Sequence, residues 1–177
     1  GSYVRSIRRS RPVAIVKSNP PTEEPKPVLL PFLKWAGGKR WLVAQHSRLL
    51  PTEFDTYIEP FLGSGAVYFH IRPEAALISD TNLDLITTYR EIKKDWRKVE
   101  SALKRHHRNH SEDYYYNERA RKHRLAHESS AQFIYLNRTC WNGLYRVNLR
   151  GEFNVPIGTK TAVSLESDDF AAVADLI

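Results

Sequence analysis

Between residues 32 and 94, short apolar runs alternate with segments of helical period. Lys39 to Leu50 sets Trp41, Leu42, Ala44, Leu49 and Leu50 at helix-like spacing. Thr56-Tyr57-Ile58 leads a strand over 56–59, a glycine-rich turn follows, and Ala66-Val67-Tyr68-Phe69-His70 marks a helix over 64–71. Ala76-Leu77-Ile78-Ser79-Asp80 reads as a second, buried strand, and a helix over 82–94 follows, with Thr81 or Asn82 as its N-cap. Strand, helix, strand, helix in that order predicts an α/β fold with a parallel sheet and right-handed crossovers. Residues 95–136 read as wholly helical. Val99, Leu103, Phe133, Ile134 and Leu136 mark their buried faces, and Tyr114-Tyr115-Tyr116 reads as a packing cluster. Beyond them Asn142-Gly143 and Arg150-Gly151 are turn signals separated by a short alternating run, the pattern of a β-hairpin. Residues 1–30 carry no such rhythm. Pro12, Pro20, Pro21, Pro25 and Pro27 among basic residues predict an extended or flexible lead-in, and Asn19-Pro20-Pro21-Thr22 behind Val13-Ala14-Ile15-Val16 reads as linker.

Composition narrows the class. With 177 residues and 41% hydrophobic content, the chain can bury a core, and no apolar run nears the roughly 20 residues that span a bilayer. The first thirty residues lack the apolar stretch and small-residue cleavage site of a secretory signal. The single cysteine, Cys140, excludes an internal disulfide and fits a reducing, cytoplasmic setting. No Cys/His spacing suits zinc, so no metal is expected; His106, His107 and His110 sit in a basic helical stretch and read as solvated. The net charge of +7 is unevenly spread: +4 over 1–30, −1 over 31–89, +6 over 90–124 and −2 over 125–177. A near-neutral first half beside a basic middle fits a polyanion held by that middle, or simply a solvated helical face.

Two glycine-centred stretches carry the candidate chemistry. Lys34-Trp35-Ala36-Gly37-Gly38-Lys39 precedes the first helix, and Glu59-Pro60-Phe61-Leu62-Gly63-Ser64-Gly65 joins the first strand to the next helix. A strand ending in Phe-x-Gly-x-Gly lets bare backbone approach a nucleotide-like ligand, because glycine has no Cβ. Asp80, at the carboxyl end of the second strand, stands where such a ligand presents its ribose hydroxyls. In the hairpin tract, Trp141, Asn142, Leu144, Arg146 and Asn148 are residue types that read DNA: Arg pairs with guanine, Asn with adenine, and apolar side chains wedge into a base stack. A purely structural hairpin fits the same residues equally well.

Taken together and in order, four stretches resemble Dam-type (D12 class, alpha group) DNA adenine-N6 methyltransferases from about residue 31 onward. They are Phe32 to Lys39, Glu59 to Val67, Ser79-Asp80-Thr81-Asn82, and Asn142-Gly143-Leu144-Tyr145-Arg146-x-Asn148 through Pro156-x-Gly158. The resemblance implies a Rossmann-like core binding S-adenosyl-L-methionine, an inserted helical and β-hairpin recognition domain, and double-stranded DNA with GATC-like sites. It further implies base flipping and direct methyl transfer to the adenine amine, in a restriction-modification or defence setting in a nucleoid-associated, cytoplasmic enzyme. On this reading residues 31–94 form the cofactor core, 95–160 the recognition domain, and 161–177 the return to the core.

Carried over by residue, the resemblance makes Trp35, Lys39, Glu59, Phe61, Gly63 and Asp80 cofactor-binding. It makes Trp141, Asn142, Leu144, Arg146, Asn148 and Lys160 DNA-binding. Two positions depart from the pattern: Thr159-Lys160 stand where GATC readers often carry Arg, and Trp141 where Tyr is common. The Asp-Pro-Pro-Tyr loop that should position the adenine amine does not occur in the 177 residues, so no catalytic residue is assigned. The expectation is a chain inactive alone, with that loop in missing residues, in a second polypeptide or in a second copy, and an apolar strand edge left exposed. A non-catalytic DNA-binding descendant and one subunit of a split enzyme are the alternatives.

Overall fold

The computed structural model describes residues 28–177; the lead-in expected over 1–30, with Val13 to Val16 and Asn19-Pro20-Pro21, lies almost wholly outside the described residues. Its elements are α1 (Arg40–His46) with a 3₁₀ turn (Ser47–Leu49), β1 (Tyr57–Glu59), α2 (Ala66–Ile71), β2 (Ala76–Ile78), α3 (Leu83–Asn109), α4 (Glu112–Ala120), α5 (Ala126–Thr139) and α6 (Phe170–Leu176). The fold is thus a helix–strand mixture with a small parallel sheet, consistent with a methyltransferase core.

β1 and β2 pair in parallel, with Tyr57 opposite Ala76, Ile58 opposite Leu77 and Glu59 opposite Ile78. The ladder runs on past the strands: Ser79 N donates to Glu59 O, and Leu62 N to Ser79 O, both at 2.9 Å. α2 crosses between the strands and buries Ala66, Val67, Tyr68 and Phe69 in the core. The second strand is not buried as its apolar run predicts. Leu77 and its partner Ile58 are each 63% exposed, because among the described residues the sheet has two strands and no layer covers that face. α1 likewise buries none of its residues, and Trp41 and Leu49 stand in solvent despite their helical spacing.

The helices begin where short polar side chains cap them. Asn82 Oδ1 accepts from Leu85 N at 2.8 Å, Ser111 Oγ from Tyr114 N at 3.1 Å, and Asp169 Oδ1 from Ala172 N at 2.9 Å. Acidic Asp84 in the first turn of α3 and basic Arg108 in its last turn complement the helix dipole. α3 is bent at Asp95, whose φ of −163° and ψ of 79° leave the helical region. Both halves pack into one core, Leu85 and Ile92 before the bend and Val99 and Leu103 after it, with Ile134 and Tyr135 of α5 completing it. Breaks after Asn109 and Ala120 divide the stretch read as continuous helix.

Of the three histidines read as solvated, His107 is exposed as expected, whereas His110 is half-buried and His106 is buried. His106 is 1% exposed, stacked on Tyr135 at 4.9 Å and bonded through Nδ1 to the Tyr114 hydroxyl at 2.8 Å. His110 Nδ1 meets the Tyr135 hydroxyl at 2.9 Å, and His107 Nδ1 lies 3.3 Å from Val163 N. One face of α3 is buried by α5, and the ring positions on it follow the helix inward whatever their charge.

After α5 the chain folds back on itself over 139–158. Gly158 N donates to Thr139 O, Trp141 N to Pro156 O, Asn154 N to Arg146 O and Asn148 N to Glu152 O. Two isolated antiparallel bridges, Cys140 with Ile157 and Val147 with Phe153, stand where a continuous ribbon is expected. Pro156 has no N–H to donate, which helps interrupt the ladder. Arg150-Gly151 makes the tip turn, whereas Asn142-Gly143 (φ 54° and 63°) makes a tight turn at the base, directly after α5.

Candidate functional site: a glycine-lined crevice beside a cationic hairpin

The parallel pairing of β1 and β2 sets the turn after one strand against the end of the other. Gly63, at φ 54°, donates its N–H to Asp80 Oδ2 at 2.9 Å, and Asp80 Oδ1 accepts from Asn82 N at 3.0 Å. Each carboxylate oxygen keeps a further lone pair for a hydroxyl donor. A Cβ at position 63 would stand 2.9 Å from Trp35 Cδ1, so only glycine lets the indole rest on this backbone. A Cβ at 65 would meet the buried Tyr89 hydroxyl, also at 2.9 Å. Trp35, Gly63 and Asp80 therefore line one crevice at the carboxyl ends of both strands, where open parallel sheets bind ligands. Phe61 projects beside it, 69% exposed.

Lys39 and Glu59 form the floor. Lys39 Nζ bonds Glu59 Oε1 and Phe61 O, both at 2.6 Å, and the second Glu59 oxygen accepts from the Tyr57 hydroxyl at 2.6 Å. Burial, then the Glu59 hydrogen bond, hold the Tyr57 phenol well above its ordinary range, so it stays a donor to this carboxylate. An apolar cavity of about 540 Å³ between residues 28–31, α1 and α2 takes in none of these six residues.

On the hairpin, Trp141 and Asn142 are exposed, Trp141 by 53%. Arg146 is exposed, with its Nε on Asn154 Oδ1 at 2.9 Å. Leu144 is half-buried against the core. The Asn148 side chain is engaged by its own turn, accepting from Arg150 N and Glu152 N and donating to Glu152 Oε2. Lys160 stands beside Lys34; its proximity, then burial, push the Lys34 ammonium below the ordinary lysine range. Cys140 is buried, with its thiol pushed up to about 11 by burial, which makes it a packing residue and a poor nucleophile. A groove of about 660 Å³ separates the hairpin from the α4–α5 connection, with Arg121, Lys122 and Arg150 among its lining.

Sequence reasoning passed over the residues that join these two parts. Asn137 accepts from Lys34 N at 2.9 Å and donates to Lys34 O at 2.7 Å, so one buried amide grips the Trp35 loop. Arg138 is buried and bonds Phe32 O, Val163 O and both oxygens of Asp168. Tyr145 stacks on Trp35 at 5.6 Å and donates to Asp84 Oδ2 at 2.8 Å. Asn137 and Arg138 inside the stretch Phe133 to Cys140 were the available signal, since a buried polar side chain needs partners.

A glycine turn at the ends of parallel strands, faced by a strand-end acid, is an arrangement suited to a nucleotide-type ligand. The chain belongs to the D12 class N6 adenine-specific DNA methyltransferase family, whose sequence model matches residues 35–170. It is 39% identical over 136 residues to the Type II methyltransferase M1.LlaDCHI of Lactococcus lactis subsp. cremoris, covering 73% of this chain and 48% of that relative. It is 42% identical over 149 residues to the Type II methyltransferase M.MjaIII of Methanocaldococcus jannaschii, covering 72% and 52%. With the DNA adenine methylase of Escherichia coli (strain K12) the identity is 39% over 131 residues, covering 72% and 47%. The chain thus spans about half the length of the curated relatives it matches. No helix among the described residues is long and apolar enough to cross a membrane.

Proposed function

We propose that this chain is the cofactor-binding and target-recognition part of a site-specific DNA adenine-N6 methyltransferase. Its cofactor is S-adenosyl-L-methionine, held in the crevice of Trp35, Phe61, Gly63 and Asp80. The contact between Gly63 and Asp80 carries the reading, because it sets bare backbone and a ribose-accepting carboxylate on one ligand. The residues fit the group: Asp80 retains acceptor capacity, Gly63 presents no side chain, and the exposed Phe61 offers a ring face. When bound, the cofactor supplies the methyl group. Lys39 and Glu59 neutralise each other and hold the crevice floor in place.

The substrate is double-stranded DNA with a short, GATC-like site. Its backbone lies along the groove of Arg121, Lys122 and Arg150, where counterion release makes binding salt-dependent. Arg146 reads a guanine, Trp141 and Asn142 face the space vacated by a flipped adenine, and Lys160 meets the outer part of the site. Leu144 and Asn148 set the hairpin's shape, and direct contact by Asn148 requires its tip turn to open. On this reading residues 31–94 are the cofactor core and 95–160 the recognition domain, a division that the bend at Asp95 supports. The groups that aim the adenine amine come from outside these 177 residues, in the same or another polypeptide.

Calorimetric titration of the chain with S-adenosyl-L-methionine tests the reading. Binding that Asp80→Ala weakens by tenfold or more supports it, as the loss of a charge-assisted hydrogen bond of about 1.5–3 kcal/mol predicts. Duplex binding without any heat from the cofactor would favour a non-catalytic DNA-binding protein instead. With labelled cofactor and duplex, the chain alone is expected to transfer no methyl group.

A further inference from the structure

Two of the connections that run from the hairpin to the crevice pass through Tyr145. In the first, its ring lies nearly parallel to Trp35, 5.6 Å between centroids at 27°, while its contacts with Phe133 and Phe153 are tilted by 52° and 53°. Trp35 in turn rests on Gly63, with no room for even a methyl group between them. In the second, the Tyr145 hydroxyl donates to Asp84 Oδ2 in the first turn of α3. That turn is capped by Asn82, whose backbone N–H is bonded to Asp80. Both connections therefore end on Asp80, one by way of the Gly63 amide and one by way of Asn82. Burial, then the Asp84 hydrogen bond, push the phenol up to about 12, so the donor keeps its proton at neutral pH.

The Trp35 loop is held from behind as well. Asn137 grips both backbone groups of Lys34, and a Cβ at Gly143 would stand 2.7 Å from Lys34 Cδ. Trp35 is thus clamped between the hairpin base and the glycine turn and can shift only if one of them does. The residue next to Tyr145 is Arg146, the proposed guanine reader, whose backbone carbonyl accepts from Asn154 across the hairpin at 3.2 Å. A duplex that pulls on Arg146 acts on the Tyr145 ring one residue away.

We propose that Tyr145 is a positioning residue that couples the two ligands: DNA seated on the hairpin holds Trp35 in the crevice wall and so tightens cofactor binding, and the cofactor tightens DNA binding by the same factor. The inference rests on the function proposed above and adds to it the route by which one site senses the other.

Fluorine NMR of the chain labelled with 5-fluorotryptophan tests this without turnover, the Trp35 resonance being assigned with Trp35→Phe. A short duplex carrying GATC is expected to move the resonances of both Trp141 and Trp35. In Tyr145→Leu, which keeps apolar bulk and loses the ring, Trp141 still moves and Trp35 does not; Tyr145→Phe, which keeps the ring, restores the Trp35 response. In parallel, the Kd for S-adenosyl-L-methionine is expected to fall about fivefold or more when duplex is added, and this factor to approach one in Tyr145→Leu. A silent Trp35 beside a responsive Trp141 in the unaltered chain, or a coupling factor that survives Tyr145→Leu, overturns the coupling alone. A silent Trp141 together with no cofactor heat overturns the functional reading itself, and the coupling with it.

Discussion

The helical and sheet halves of this molecule are finished to different degrees. After the bend in α3, Val99, Leu103, Tyr115, Ile134 and Tyr135 have no measurable exposure; Tyr115 donates to Val155 O at 2.9 Å and His106 Nδ1 meets the Tyr114 hydroxyl, while His106 Nε2 and Ser130 Oγ are buried without a hydrogen-bond partner among the described residues. At the sheet, Ile58 and Leu77 lie directly opposite each other and both face solvent. The helical half closes because α3 and α5 bury each other's apolar stripes, which needs only local chain. A parallel sheet needs layers on both faces, and two strands with one crossover helix supply a single layer. The difference teaches that the better-buried core of this chain lies in its helical half, while the glycine turn and Asp80 sit on the less supported half.

The sharpest test of that contrast is Arg138, whose guanidinium ties the start of the described chain to α6 through Phe32 O and Asp168. Arg138→Ala leaves a buried carboxylate and two carbonyls unpaired and is expected to cost about 3–5 kcal/mol in chemical denaturation. Ile134→Ala, in the helical core, is expected to cost about 2–5 kcal/mol. A much smaller loss would mean that the helical half is loosely packed. On the sheet side, Gly63→Ala forces a side chain into left-handed backbone against Trp35 and is expected to cost about 1–2 kcal/mol while weakening cofactor binding.

His106 gives the helical half a pH signature. Burial lowers its pKa to about 4 from an ordinary 6.5, against the partial support of Glu118, 4.0 Å away, and with Arg105 and His123 opposing the charge. The unfolded chain therefore takes up a proton before the folded one does. Stability is fully present above about 6.5 and falls as the pH drops towards about 4, by at most about 1.4 kcal/mol per pH unit from this group. Thermal melts across that window should show the slope, and His106→Leu should flatten it. Ile58→Thr and Leu77→Thr are expected to change stability least, by under about 0.5 kcal/mol. A large loss from either would show that something covers the sheet in solution.

Local order was readable wherever a short signal has one physical meaning. Phe61 to Gly65 announced a glycine turn between strand and helix, Asn82 announced a cap, and Val99, Leu103 and Ile134 announced a core by their spacing. Leu77, Trp41 and Leu49 misled, because apolar character records what a position can bury against and not whether a neighbour is present. His106 misled in the opposite sense: basic neighbours on the outer face of α3 hid a ring on its inner face. The links between crevice and hairpin were illegible, since Asn137 and Lys34 stand 103 residues apart and Tyr145 and Asp84 stand 61 apart.

The sequence by itself determined the two strands and the helix between them, the glycine turn with its facing acid, and the family, because these rest on spacing within a few residues. Only the tertiary structure decided which apolar residues are covered, which histidines are buried, and that one tyrosine stands between the two candidate sites. Those outcomes depend on which surfaces meet across the fold, and short-range pattern carries no record of distant partners.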